Sequence, residues 1–387
     1  MTGKQTGESG LKRTAAHGGG AREPLFHLSK RDTIPVWKAW LIRLAAIALG
    51  MLVSGLVACL LSDKIQDGSK SIGDVFQAFI DGSFKTENKT WKFFGDTAQL
   101  LCISLALVPA FRMRFWNIGG EGQTLVGVLA AIGVNFLFGK QMPEWTLLIA
   151  MFGAAVLAGI IWALIPGIFR AVWGTNETLF TLMMNYVATY LVSYFLIIWA
   201  GKNGSTLSRM KQGALPVIGG QKYLMIILVA AALAGLMYVY LNYTKHGYEI
   251  SVVGESVRTA RYVGINERKV IIRTVILSGA LCGLAGFLIA GLDLTMTTDS
   301  VKGQGFTGIM VAWLGKNNPL FMVLTASFIE LLDHGAAQIT KSLNVPGAFP
   351  SVLVGIILFF TIGCEFFIEY RIHFRGHSGH GSREGAK

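Results

Sequence analysis

The chain has 387 residues, 52% of them hydrophobic and only 14% charged, with a mean hydropathy of +0.53 and a formal net charge of +12. Soluble domains carry about 25% charged residues, so this balance excludes an ordinary soluble protein and describes an integral membrane one. The excess of positive charge is what membrane-anchoring flanks require and calls for no nucleic-acid partner.

In chain order, the first 40 residues, with Gly18-Gly19-Gly20 and scattered charges, read as a disordered basic arm. Residues 41–370 form the transmembrane domain and 371–387 a tail. The start lacks the short apolar core and small-residue cleavage site of a signal peptide, so residues 45–61 are expected to remain as the first anchor. Apolar runs follow at 145–169, 179–199, 223–243, 275–292, 320–332 and 352–368, most of them near the ~20 residues needed to cross a bilayer. Three runs are shorter: 97–110, 123–138 and 306–314. Together they predict an all-α polytopic protein with about ten transmembrane helices, short or broken near 97–138 and 303–319. The Cys59, Cys102, Cys282 and Cys364 thiols all fall in apolar segments without ligand spacing, which indicates neither a disulfide framework nor a zinc site.

An even count puts both termini on one side, and the eight basic residues against three acids in 1–43, with Arg371, Arg375, Arg383 and Lys387 in the tail, make that side cytoplasmic. Alternation then leaves 22 of the 34 basic residues inside and puts residues 62–96 in an outside loop. The loop 201–222 conflicts with this: Lys202, Arg209, Lys211 and Lys222 meet no acid there, yet the count places it outside.

The stretch FWNIGGEGQ at 115–123 sets amides and a carboxylate between two short apolar runs. Non-helical backbone at membrane depth must be buried in protein or line a wet cavity. Paired interrupted segments in the two halves of a transporter mark a solute route, so Asn117, Glu121 and Gln123, with Thr307 in the second interruption and Asn185, are candidate path residues. The competing reading has Asn117 and Glu121 capping helix ends. Asn176-Glu177-Thr178 reads as a helix start.

No phosphate-binding loop occurs, since Gly315-Lys316-Asn317 has Met310 where the first glycine belongs. The Gly303-Gln304-Gly305-Phe306-Thr307-Gly308 run fits a dinucleotide fingerprint without the strand-turn-helix setting, so its glycines serve a bend or close packing. No catalytic residues, metal site or bound cofactor is expected. The His373, His377 and His380 side chains read as part of a solvated tail. Within 244–273, six basic residues and three glutamates surround a short helix that Ser256 can cap and Gly264 can end. Val257, Ala260 and Val263 share one face and Arg258 and Arg261 another, which suits docking into a groove of another protein; a membrane-surface helix is the other reading.

Five motifs in order, NIGGEGQ at 117–123, NETLFTLMMNYVA at 176–188, GYEISVVGESVRTARYVGI at 247–265, SGALCGLAG at 278–286 and GFTGIMVAWLGKNNPL at 305–320, resemble the permease subunits of ATP-binding cassette (ABC) importers for simple sugars and purine nucleosides, related to ribose and branched-chain amino acid permeases. The likeness runs over about residues 100–367; Gly120 stands where many relatives carry alanine. The resemblance implies a bacterial cytoplasmic-membrane location and a coupling segment at 247–265, with Glu249, Gly254, Glu255, Arg258, Ala260, Arg261 and Gly264 contacting the ATPase. It also implies an ATP-binding cassette subunit that uses ATP and Mg²⁺, a second permease, identical or paralogous, and an extracytoplasmic solute-binding lipoprotein. An ion-coupled secondary transporter is the rival, for which Glu330, Asp293 and Glu365 are available carboxylates that read as ordinary helix-end groups.

Overall fold

The computed structural model describes residues 26–30, 35–65, 72–201, 204–343 and 349–374. In chain order the elements are β1 (Phe26–Lys30), α1 (Val36–Ile65), α2 (Ile72–Phe84), α3 (Glu87–Arg112), α4 (Gly120–Phe138), α5 (Glu144–Trp173), α6 (Glu177–Ala200), α7 (Leu224–Tyr243), α8 (Lys245–Glu255), α9 (Val257–Tyr262), α10 (Glu267–Asp293), α11 (Gln304–Leu314), α12 (Pro319–Leu343), α13 (Phe349–Glu369) and β2 (Tyr370–Phe374). The N-terminal arm before residue 26, the tail beyond 374 and the histidines at 377 and 380 lie outside the described residues.

Every one of the ten apolar runs falls on a helix, and among the described residues eight helices, α3 to α7, α10, α12 and α13, are long and apolar enough to cross a membrane. In α1 the described residues Leu41–Val57 form a further apolar stretch. The chain divides into two compact units, Met1–Met51 with Leu358–Lys387, and Leu52–Ile357. In the first, β1 and β2 pair antiparallel with Phe26 opposite Phe374 and Lys30 opposite Tyr370. Within this unit the segments flanking the apolar region are therefore hydrogen-bonded to each other.

The second unit is built on close approach of α4, α5 and α10. A Cβ on Gly283 would strike the Ala155 carbonyl of α5, and one on Gly286 would meet the Thr124 carbonyl of α4 at 2.5 Å. Small residues let membrane helices pack backbone to backbone, which gives the SGALCGLAG run its physical meaning. Cys282, at the same seam, and Cys102 of α3 are buried free thiols.

Two boundaries differ from the apolar reading. The loop expected at 62–96 instead holds α2 and the first ten residues of α3. Helix α2 packs on α12, with Phe79 against Gly335, and α3 starts at a Thr86 cap that accepts from Lys89 N at 3.4 Å. Helix α3 is therefore about 39 Å long and crosses fully, because its polar first turns find protein partners that an apolar count ignores. The break expected within 97–138 is confined to residues 113–119. By contrast α11, with 11 residues, rises only about 16 Å and cannot cross a ~30 Å core alone.

Contacts between helix ends define two rims of this unit. At one, the Arg112 guanidinium donates to Leu241 O (3.3 Å), Asn242 Oδ1 (3.1 Å) and Asn317 O (3.3 Å), joining the ends of α3, α7 and the turn after α11. Helices α8 and α9 belong to this rim, since Gly254 abuts the Arg112 carbonyl. At the other, Leu207 N donates to Met296 O (3.0 Å), Met210 N to Leu294 O (2.8 Å) and Asn135 Nδ2 to Gln212 O (2.7 Å). The described part of the basic loop, 204–222, thus lies at the opposite end of this unit from the segment 244–273.

Candidate functional site

The end of the irregular segment 113–119, at Asn117–Gly119, is held by reciprocal hydrogen bonds. Asn117, 1% exposed, donates through Nδ2 to Gln123 Oε1 (3.2 Å) and Ser278 Oγ (3.1 Å), while its Oδ1 accepts from Gly119 N (3.1 Å) and Gln123 Nε2 (3.0 Å). From α6, Thr181 Oγ accepts from Ile118 N (3.2 Å), Asn185 Oδ1 accepts from Gly122 N (2.9 Å) and Asn185 Nδ2 donates to Ile118 O (3.0 Å). The first amides of a helix have no partner within it, and here neighbouring helices supply them in a setting that has no water to spare. Asn176 caps α6 through Leu179 N (3.2 Å), and Glu177 pairs with Arg170 at 3.3 Å, which makes that motif a helix start as expected.

Glu121 links the two interruptions to each other. Its Oε1 accepts from Gly303 N at 3.0 Å and its Oε2 from Gly305 N at 2.7 Å, so the carboxylate caps α11 rather than its own helix. An anion at a helix N-terminus meets both free amides and the positive end of the helix dipole. Gly303 takes φ +71, a conformation costly for other residues, and a Cβ on Gly305 would strike the Glu121 backbone. Bend and close packing are what the glycines of this run provide.

Of the five candidate path residues, Asn117, Glu121, Gln123 and Asn185 are thus brought into one frame, and Thr307 is not. Thr307 instead lines a polar cavity of about 270 Å³ between α2, α3, α11 and α12, whose walls include Asp96, Lys302, Gln304, Glu330 and His334. His334 Nε2 lies 3.0 Å from Asp96 Oδ2 and 3.8 Å from Glu330 Oε2. Glu330 reads as a helix-end group from sequence; it sits mid-way along α12 and is 6% exposed, because α12 continues past Asp333 and His334. Asp293 does end its helix, and the Glu365 side chain lies outside the described residues. Sequence reasoning misses Asp96 and His334; the signal for His334 is its spacing from Glu330, one turn apart on an apolar helix, and Asp96 has none.

The rim segment matches its sequence reading in part. Ser256 Oγ accepts from Thr259 N (3.3 Å), Gly264 takes φ +80, and Ala260 is fully buried. Val257 and Val263 are instead 42% and 54% exposed, while Glu255, Arg258 and Arg261 face outward, Arg261 paired with Glu267. A further helix, α8, precedes it, capped by Thr244 through Gly247 N (3.2 Å) and tied to α10 by Glu249 and Arg273 at 2.7 Å. Gly254 is a packing position, because any side chain there would meet the Arg112 carbonyl.

Comparison with known proteins agrees with this architecture. The chain is 30% identical over 365 residues, 90% of its length and 93% of the relative's, to the glucose ABC transporter permease protein TsgB13 of Haloferax volcanii. It is 29% identical to the guanosine ABC transporter permease protein NupP of Bacillus subtilis, covering 83% of this chain and 92% of that one. A second guanosine permease protein of that organism, NupQ, is 28% identical over 60% of this chain and 76% of its own. Residues 92–362 match the family described as branched-chain amino acid transport system / permease component, and with these motifs, helices and relatives the chain belongs to that family of multi-pass membrane permeases.

Proposed function

We propose that this chain is the membrane-spanning subunit of an ABC importer for a nucleoside or simple sugar in the cytoplasmic membrane, with the α8–α9 rim and both termini facing the cytoplasm. The observation that carries it is the α8–α9 corner: α9 is capped by Ser256, Glu255, Arg258 and Arg261 are exposed along the corner, and Gly254 of α8 joins it to the junction at Arg112. A helix of this kind transmits force from a docked partner. In this reading a separate cassette subunit binds ATP and Mg²⁺, and its closure pushes α8 and α9.

Arg112 then passes the push to α3, α7 and the Asn317 turn. Helix α11 runs from that turn to Glu121, so a shift at the rim reaches the mid-membrane frame of Asn117, Gln123 and Asn185. Rigid elements with discrete contacts at both ends are suited to alternating access. Thr307 opens to the cavity and is the path candidate; Glu121 fixes the start of its helix, and Asn117, Gln123 and Asn185 fix the turn that carries Glu121. A solute-binding lipoprotein would deliver cargo at the rim carrying loop 201–222.

A second permease, a copy or a paralogue, is supported by the two guanosine permease proteins of one organism that both match this chain. It is supported also by α6, whose outward face carries Tyr186, Tyr190 and Tyr194, 58%, 74% and 59% exposed. Tyrosines suit the membrane surface, but Tyr186 and Tyr190 flank the centre of a 24-residue helix, where lipid offers a phenol no partner. That face fits a wet seam shared with the second permease.

The test is uptake by the reconstituted complex of permease, cassette subunit and receptor. Guanosine or glucose accumulation that requires ATP and survives collapse of proton and sodium gradients is expected. Uptake abolished by ionophores while ATP is held constant would instead establish an ion-coupled carrier.

A further inference from the structure

We propose that Asp96, Glu330 and His334 form a binding site for a divalent transition-metal cation of the Zn²⁺ type, clamping α3 to α12. Glu330 and His334 sit one turn apart on α12 and face Asp96 of α3. One ligand atom from each, Asp96 Oδ2, Glu330 Oε2 and His334 Nε2, lies within 4.8 Å of the other two. Ligands held about 2.0–2.2 Å from a tetrahedral zinc ion are ~3.4 Å apart, so rotamer shifts of about 1 Å bring all three onto one ion.

A cluster of acids alone would not indicate a site, but here charge and geometry add two independent points. The Glu330 side chain is 8% exposed; among the described residues its Oε1 accepts only from Gln304 Nε2, at 3.5 Å, and its Oε2 faces His334 Nε2 at 3.8 Å, beyond hydrogen-bond reach. Lys92 and Lys302 line the same cavity, yet among the described residues no lysine or arginine nitrogen lies within 4.0 Å of either carboxylate, and Lys89 is held by Asp81 O and Gln338. Buried Glu330 and part-buried Asp96 thus converge on His334 in a membrane unit, and polar groups at such depth are paired or coordinate metal.

The donor set selects the cation. An imidazole with two carboxylates suits zinc or manganese, whereas Mg²⁺ and Ca²⁺ prefer oxygen alone. Three protein ligands leave a fourth position facing the 270 Å³ cavity, room enough for water.

The experiment titrates the full chain, purified with its companion subunits and stripped with chelator, with Zn²⁺ by calorimetry and counts bound metal by elemental analysis. His373, His377 and His380 are replaced by alanine in every sample so that the tail contributes nothing. One equivalent of Zn²⁺ and none of Mg²⁺ or Ca²⁺ is expected, with His334→Gln and Asp96→Asn each weakening binding more than about tenfold. Because a variant can fail to fold, the parent protein is also loaded with Co²⁺, whose visible absorption reports a low-coordinate nitrogen–oxygen site. No stoichiometric Zn²⁺ and no Co²⁺ band in the parent, or unchanged affinity in a folded His334→Gln protein, overturns the site and leaves a His334–Asp96 hydrogen bond in its place.

Discussion

Replacing Glu121 by glutamine tests whether the two broken segments are mechanically one. The carboxylate accepts two backbone amides of α11, and hydrogen bonds to charged groups contribute about 1.5–3 kcal/mol each. Glutamine keeps one acceptor and turns an NH₂ toward the other amide, so one bond is lost and a buried N–H is left without a partner. The expected loss is ~2–4 kcal/mol, equivalent to a roughly 30-fold to several-hundredfold shift in the docking of α11. Detergent-titrated unfolding of the purified chain measures the first quantity and uptake in proteoliposomes the second. Glu144→Gln, an exposed carboxylate at the start of α5, is the control and should change stability by less than ~0.5 kcal/mol. Glu121→Gln with control-like stability and full uptake would refute the clasp. Control-like stability with altered uptake would instead make Glu121 a direct solute contact.

The rim and the outer face of α6 are tested in the same way. Gly254→Val should cut the yield of folded protein, because its Cβ meets the Arg112 carbonyl, at a cost of about 1–3 kcal/mol; Arg258→Glu should leave yield intact and reduce copurification of the cassette subunit about tenfold or more. Normal yield for the first, or normal complex for the second, would exchange or remove these roles. Arg112→Gln should preserve ATP hydrolysis while lowering solute moved per ATP, measured in one reconstituted sample; an unchanged ratio counts against the junction as a force path. Tyr190→Leu should slow uptake without changing thermal stability, whereas Tyr190→Phe separates the phenol from the ring; native transport by the leucine variant would mean that α6 faces lipid.

The sequence by itself determined the class of protein, the position of every apolar helix, the caps of α6 and α9, and the family. These properties are local: hydropathy, a capping side chain such as Ser256 or Asn176, and collinear motifs are read within a few turns of chain. It also located both interruptions, because glycines and polar residues stand out in apolar surroundings. What it did not contain was which groups meet. That Glu121 would cap a helix 182 residues away, that Asp96 would extend α3 by facing His334, and that Gly254 would serve packing were decided only when α3, α4, α11 and α12 came together. In a membrane a buried polar group must find a partner inside the protein, and nothing near it in the chain says where that partner is. Tertiary contact alone supplies it.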